Sequence, residues 1–143
     1  MSRSSEDDCV TLVRRGFTLR HVRRVRELVT WAARRVGLSR DRGQDLALAV
    51  SEAAGNAVKH GGGTGHLELI QDDGRALIAQ ISDHGPGMPV AAPAELPSPG
   101  QDSGRGLYLI KETVDRVEYR TGPDGTTVHL EMDLDDPGRT LRP

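Results

Sequence analysis

The chain has 143 residues and a formal net charge of −2, with 19 basic and 21 acidic residues. This length suits one ordinary domain with a real hydrophobic core and is too short for two independent domains. Because the charges nearly balance and only 3% of the residues are aromatic, neither a basic nucleic-acid surface nor a set of base-stacking platforms is predicted. The composition therefore favours a small ligand or a protein as partner, with no nucleic acid.

Cysteine usage and the N-terminal residues indicate the compartment. The single Cys9 supports neither a disulfide framework nor a zinc site. Residues 1–8 are polar and acidic where a secretory signal needs an apolar run, and no later segment is apolar over the length of a membrane span. We therefore expect a cytoplasmic protein with no membrane partner, in which residues 1–9 form a flexible N-terminus.

The first predicted elements are a strand over Val10–Thr18 and a helix over Leu19–Val36. The helix is indicated by apolar residues that recur at helical spacing. These residues are Val22, Val25, Leu28, Val29, Ala32 and Val36. The other face of the helix carries Arg20, Arg23, Arg24, Arg26, Arg34 and Arg35. Such a face is usually solvated surface, and a docking site for an acidic partner is the alternative.

The rest of the chain consists of strands and helices separated by turn signals. Ser39 or Asp41 is placed to cap the second helix, and Asp73-Gly74 predicts a tight hairpin turn. Residues 85–104 contain five prolines and predict a long irregular loop, which in a compact domain is usually functional or disordered. The remaining predicted elements are a helix over Arg42–His60, strands over His66–Asp72 and Ala76–Ser82, a helix over Gly106–Val114, and strands over Arg116–Thr121 and Thr126–Leu134.

This order of elements predicts an α+β fold. We expect a two-layer sandwich in which one mixed or antiparallel sheet has its helices packed on one face. The domain is expected to span residues 10–134, and residues 135–143 to form a flexible C-terminal tail. No internal repeat or heptad pattern competes with this interpretation.

The second predicted helix carries three polar residues beside its apolar stripe. Glu52, Asn56 and Lys59 follow one another at spacings of four and three residues, which stacks a carboxylate, an amide and an ammonium on one side of a helix. One small ligand could contact all three side chains. By itself the spacing is also typical of a solvated helix face.

Three further segments combine glycines with groups that bind ligands. Asp83-His84-Gly85-Pro86-Gly87-Met88 follows an alternating strand, so a carboxylate lies beside a turn whose glycines allow close approach to a planar ligand; an ordinary turn is the alternative. Ser103-Gly104-Arg105-Gly106-Leu107 ends the long loop and opens a helix, whose free backbone N–H groups are suited to phosphates. Gly125-Thr126-Thr127 leads the last strand with two hydroxyls that could reach a bound base.

Together these segments resemble the motifs of the GHKL ATPases, and among them the compact serine kinases that act as anti-sigma factors. Ser51–Gly61 is similar to the N box of that family, Asp83–Met88 to its first glycine box and Ser103–Ile110 to its second. The resemblance covers roughly Phe17–Leu134. It implies the Bergerat ATP-binding fold, which agrees with the architecture predicted from the pattern of elements.

The resemblance implies a role for each matching residue. Asn56 would bind the Mg²⁺ that bridges the ATP phosphates, because an amide oxygen suits this hard cation. Asp83 would accept a hydrogen bond from the adenine amino group, and Lys59 would contact a phosphate. The other matching positions are Gly85, Gly87 and Met88 around the base, Gly104, Arg105, Gly106 and Leu107 in a lid over the phosphates, and Thr126 or Thr127 beside the adenine.

Glu52 is the catalytic candidate that the resemblance implies. It would act as general base towards a substrate hydroxyl, while Mg²⁺ and lid donors stabilise charge on the transferred phosphoryl group. Orienting a magnesium-bound water is the alternative role. Where the kinase branch carries an arginine two residues before the first lid glycine, this chain has Asp102.

Two functions are therefore expected as alternatives. The first is an ATP-dependent serine/threonine kinase of the anti-sigma type, which phosphorylates a small antagonist protein and controls a sigma factor by partner switching. The second is a non-catalytic, ATP-dependent module that sequesters a sigma factor or another regulator. Relatives of this type commonly bind partners, or a second copy as a homodimer, through the sheet edge and the first helix.

Overall fold

Five strands and three α-helices make up residues 9–87 and 105–134, which the computed structural model describes. The helices are α1 (Val22–Val36), α2 (Arg40–His60) and α3 (Arg105–Thr113). The strands are β1 (Cys9–Thr18), β2 (Thr64–Asp72), β3 (Ala76–Ser82), β4 (Arg116–Gly122) and β5 (Gly125–Asp133). Residues 1–8, 88–104 and 135–143, with most of the predicted flexible termini and long loop, lie outside this description.

All neighbouring strands pair antiparallel, in the order β1-β2-β3-β5-β4. The sheet is therefore antiparallel throughout, with β1 and β4 at its two edges. Within the described ranges no helix is both long and apolar enough to cross a membrane.

Alternation along the strands places one face of the sheet against the helices. Every second residue of β5 is buried from Thr126 to Met132, as expected for a strand with one covered face. The inner side chains of β2, β3 and β5 share one core with Val29 of α1, Val50 of α2 and Ile110 of α3. All three helices thus pack on one face, and the predicted α+β sandwich is confirmed.

Local signals place the helix ends and the first hairpin. α1 ends at Gly37, whose φ of 89° is in the left-handed region that glycine tolerates. Ser39 is the N-cap of α2, because its Oγ accepts the Arg42 amide at 3.3 Å. The helix begins two residues before the predicted start, and Asp41 lies in its first turn. The Asp73-Gly74 turn has φ values of 28° and 70°, the positive pair that a tight hairpin requires.

The outer face of the sheet carries a charged network. His129 Nε2 lies 2.9 Å from Glu131 Oε1, and its Nδ1 lies 3.0 Å from Gln80 Nε2. Arg116 donates to both Glu131 and Asp133. Burial acts to raise the pKa of Glu131, but the hydrogen bonds from His129 and Arg116 outweigh it, so the pKa is lowered.

Candidate functional site

Asp83 lies directly after β3, beside the end of α2 and the start of β5. Its amide donates to the Thr126 carbonyl at 2.9 Å, which extends the β3–β5 pairing by one residue. Gly61, the first residue after α2, is buried against it, and a Cβ at Gly61 would overlap the side chain of Asp83. Three separate segments of the chain therefore meet at this carboxylate.

Backbone amides fix the direction of the Asp83 carboxylate. Its Oδ1 accepts from Gly85 N–H at 2.9 Å and from Thr126 N–H at 3.2 Å. Among residues 9–87 and 105–134, no other group donates a hydrogen bond to this carboxylate, and its Oδ2 accepts none. The second oxygen is therefore a charged acceptor with a preset orientation, which suits it to a ligand donor.

Glycines allow the backbone to close tightly around this carboxylate. A Cβ at Gly85 would lie 2.5 Å from Gly61 Cα, and a Cβ at Gly125, where φ is 144°, would overlap the Asp83 carbonyl. At Gly87, with φ of 92°, a Cβ would lie 2.7 Å from the Gly122 carbonyl oxygen. Because a side chain at any of these positions would displace the neighbouring backbone, the site requires glycine there.

Glu52 and Asn56 project from α2 towards the first turn of α3. A Cβ at Gly106 would lie 3.0 Å from Glu52 Oε2 and 3.6 Å from Asn56 Nδ2. Both side chains are half-buried, whereas Lys59, about one turn further along α2, is exposed. Gly106 therefore lets the first turn of α3 lie directly beside a carboxylate and an amide.

Thr126 and Thr127 point to opposite faces of the sheet, as strand alternation requires. Thr126 is 3% exposed, and its hydroxyl oxygen lies 2.9 Å from that of Thr121 on β4. Thr127 borders a recess on the outer face together with Gln80 and His129. Of the two threonines, Thr126 thus faces the helix layer that carries Glu52.

The lid positions are described in part. Arg105 is the first residue of α3, and Leu107 is buried. Met88 and Gly104, which the sequence also indicates as site residues, and Asp102 lie outside the described residues. A recess of about 540 Å³ opens beside Asp83 and is bordered by the β4–β5 hairpin from Arg120 to Gly125 and by Thr127.

The profile of the histidine kinase-like ATPase domain matches residues 17–132. The chain belongs to the histidine kinase-like ATPase family. The match includes every described site residue from Glu52 to Thr127, and it confirms the family that the motifs indicate. Among curated proteins, none matches this histidine kinase-like ATPase domain.

Three solved structures share the fold of this ATPase domain. The RsbU and RsbW domains of Rv1364c from Mycobacterium tuberculosis align with a TM-score of 0.59 and 21% identity, over 87% of this chain and 33% of that one. The histidine kinase domain of the Erythrobacter litoralis EL346 blue-light-activated histidine kinase aligns with a TM-score of 0.54 and 18% identity, over 80% and 64%. The mycobacterial sensor histidine kinase MprB aligns with a TM-score of 0.50 and 22% identity, over 85% and 98%. The chain therefore spans about a third of the first structure and under two thirds of the second.

The residues of this ATPase-family site suit an adenine nucleotide with Mg²⁺. Asp83 Oδ2 is suited to accept from an amino group, and three glycines at which a Cβ would collide, Gly61, Gly85 and Gly125, lie against Asp83 or its turn. Asn56 and Glu52 supply the oxygen donors that Mg²⁺ prefers. The N-terminus of α3 beside them has the N–H groups and dipole that hold phosphates.

Sequence reasoning missed two residues of this site. It included Gly61 in the N-box match without naming it as a site residue, although Gly61 contacts the Asp83 side chain. It did not single out Thr121, which pairs directly with Thr126 across the hairpin. Counting outwards from the predicted Pro123-Asp124-Gly125 turn would have identified that pair, because hairpin register follows from the turn.

Proposed function

We propose that the chain is an ATP-binding serine/threonine kinase of the anti-sigma type, which phosphorylates a small antagonist protein and controls a sigma factor by partner switching. One observation carries the proposal. Asp83, held by two backbone amides, lies beside Gly61 at the end of α2, the helix whose Glu52 and Asn56 face the first turn of α3. Asp83 thereby supplies an acceptor for a purine edge, the start of α3 a place for phosphates, and Glu52 a carboxylate suited to proton transfer.

Binding of the nucleotide is assigned to residues of α2, of the turn after β3 and of α3. Asp83 accepts from the adenine amino group, and the glycines around it let the base approach the backbone. Asn56 binds Mg²⁺, and Lys59 contacts a phosphate. Gly106, which has no side chain, lets phosphate oxygens approach the start of α3. Bound Mg-ATP supplies the phosphoryl group, and its metal offsets the negative charge.

Glu52 is assigned the catalytic role. It is a half-buried carboxylate on α2, where the adjoining Ala53 and Ala54 are buried in the core and fix the helix face. A rigid element holds a catalytic group more accurately than a loop does. Glu52 therefore removes the proton from the incoming serine or threonine hydroxyl as that oxygen attacks.

The partner is proposed to bind where α1 adjoins the edge strand β1. A groove of about 270 Å³ there has the apolar side chains of Phe17, Val25 and Leu28 and the basic side chains of Arg15 and Arg24. An acidic segment with apolar anchors is complementary to this lining. We assign the groove to the sigma factor or antagonist. Among the five described strands β1 pairs with β2 alone, so its other edge is also available to a second copy.

The kinase proposal is tested with radiolabelled Mg-ATP and candidate antagonist proteins. Wild type should label the antagonist, whereas Glu52→Gln should transfer about a hundredfold less label while ATP affinity is retained. Asp45→Asn is the matched control, because Asp45 is an exposed carboxylate on the same helix. Equal labelling by wild type and Glu52→Gln would contradict the assigned role of Glu52.

A second function is favoured by the aspartate at position 102, where the kinase branch has an arginine. In this alternative the chain is a non-catalytic, ATP-dependent module that sequesters a sigma factor or another regulator. Tight ATP binding without labelling of any antagonist, combined with ATP-dependent capture of a sigma factor, would establish it. Loss of that capture in Arg24→Glu, compared with Arg40→Glu outside the groove, would assign the docking surface.

A further inference from the structure

A pair of threonine hydroxyls lies beside Asp83. Thr121 and Thr126 are direct cross-strand partners, and their Oγ1 atoms are 2.9 Å apart. The Thr126 amide also donates to Asp83 Oδ1 at 3.2 Å. Thr126 is therefore hydrogen-bonded both to the Asp83 carboxylate, through its amide, and to Thr121, through its hydroxyl.

The turn that follows Asp83 lies close to the same pair. A Cβ at Gly87 would be 3.0 Å from Thr121 Oγ1, and only a glycine accommodates the φ of 92° at this approach. Thr121 thus lies between the turn that orients Asp83 and the strand that carries Thr126.

The hydrogen-bonding groups of adenine indicate how the two threonine hydroxyls contribute to its binding. Adenine presents an amino donor next to the ring acceptor N1 on one edge. An aspartate suits the amino group, so N1 requires a donor from a neighbouring group. Thr126 has one hydroxyl proton, and this proton is free for a ligand only when Thr121 is the donor within the pair.

We propose that Thr121 is a positioning residue for adenine recognition. Its hydroxyl donates to Thr126 Oγ1, which leaves the Thr126 proton for the N1 acceptor of the base. Asp83 and Thr126 together then match the donor-acceptor order of adenine, whereas guanine presents the opposite order. This inference rests on the proposed ATP-binding function and adds a residue that determines base specificity.

The test compares two nucleotides on nucleotide-free protein by isothermal titration calorimetry. Thr121→Val keeps the shape of the side chain and removes the hydroxyl, so ATP affinity should fall about three- to tenfold. Binding of 1-deaza-ATP, which has C–H in place of N1, should be unchanged by this substitution. Thr121→Ser keeps the hydroxyl and should bind ATP as wild type does.

A second background shows whether Thr121 acts through Thr126. In Thr126→Val protein, the further change Thr121→Val should not weaken ATP binding, because the intermediate hydroxyl is already absent. An equal loss for ATP and 1-deaza-ATP, or no loss for either, would overturn the inference.

Failure of wild type to bind ATP would instead overturn the proposed function, and this inference with it. Unfolding midpoints of the unliganded variants identify any general loss of structure. If Thr121→Val does not fold, Thr121→Ala is measured by the same criteria.

Discussion

Replacement of Asp83 by asparagine separates base recognition from folding. Asparagine has nearly the same shape, so its Oδ1 can continue to accept the Gly85 and Thr126 amides, now 2.9 and 3.2 Å from Asp83 Oδ1. The second carboxylate oxygen becomes an NH₂ donor. A donor would then oppose the amino group of adenine, where the wild-type protein offers a charged acceptor.

The expected loss of affinity follows from this exchange. A hydrogen bond to a charged group contributes about 1.5–3 kcal/mol, and an unsatisfied donor costs about 1–3 kcal/mol. We therefore expect ATP binding to weaken by about 3 kcal/mol, which corresponds to about 150-fold in Kd. The two backbone hydrogen bonds lose their charge assistance, so the free energy of unfolding should fall by only about 1 kcal/mol.

Calorimetric titration of ATP into each protein measures this change. Asp73→Asn, in the exposed turn between β2 and β3, is the matched control and should bind ATP as wild type does. Purine riboside triphosphate lacks the amino group and should lose much less affinity than ATP on Asp83→Asn. An ATP affinity within about threefold of wild type in a folded Asp83→Asn protein would refute the assignment of Asp83 to the base.

Three further predictions concern stability. Arg42→Ala should lower the free energy of unfolding in urea by about 2 kcal/mol, because Arg42 Nη2 donates to the Asp115 carboxylate at 2.5 Å and to the Asp133 carbonyl at 2.8 Å. Burial raises the pKa of Tyr119 to about 12, so stability should fall as pH rises from about 10 to about 12, and Tyr119→Phe should lack this component. The pKa of Glu131 is lowered by hydrogen bonds that outweigh its burial; stability from this group should be lost as pH falls below about 4.5, and Glu131→Gln should lack that loss.

Each of these predictions has a control and a contradicting result. Arg40→Ala, at an exposed position on α2, should leave stability unchanged. If Arg42→Ala had the same free energy of unfolding as Arg40→Ala, the bridging role of Arg42 would be contradicted. Among residues 9–87 and 105–134, the buried Tyr119 hydroxyl has no hydrogen-bond partner, so Tyr119→Phe should be neutral or stabilising at pH 7. An acid unfolding curve of Glu131→Gln that coincides with wild type would contradict the pKa prediction for Glu131.

Local signals in the sequence determined the elements and the family. Ala76–Ser82 was predicted with the boundaries observed, because a mainly apolar run ends at turn residues on both sides. The Gly37 helix end and the Asp73-Gly74 turn also depend on the conformational preferences of adjacent residues. Each family motif is a continuous stretch of sequence, so the family could be recognised without knowing which segments meet in space.

The tertiary structure decided the pairing of strands and the surroundings of Asp83. The order β1-β2-β3-β5-β4 depends on contacts between residues far apart in sequence, which no local pattern specifies. The same long-range packing brings Gly61 against Asp83 and turns Thr126, rather than Thr127, towards the buried face of the sheet. The residue types of the site were therefore readable from the sequence, whereas their partners and orientations depended on how the chain packs.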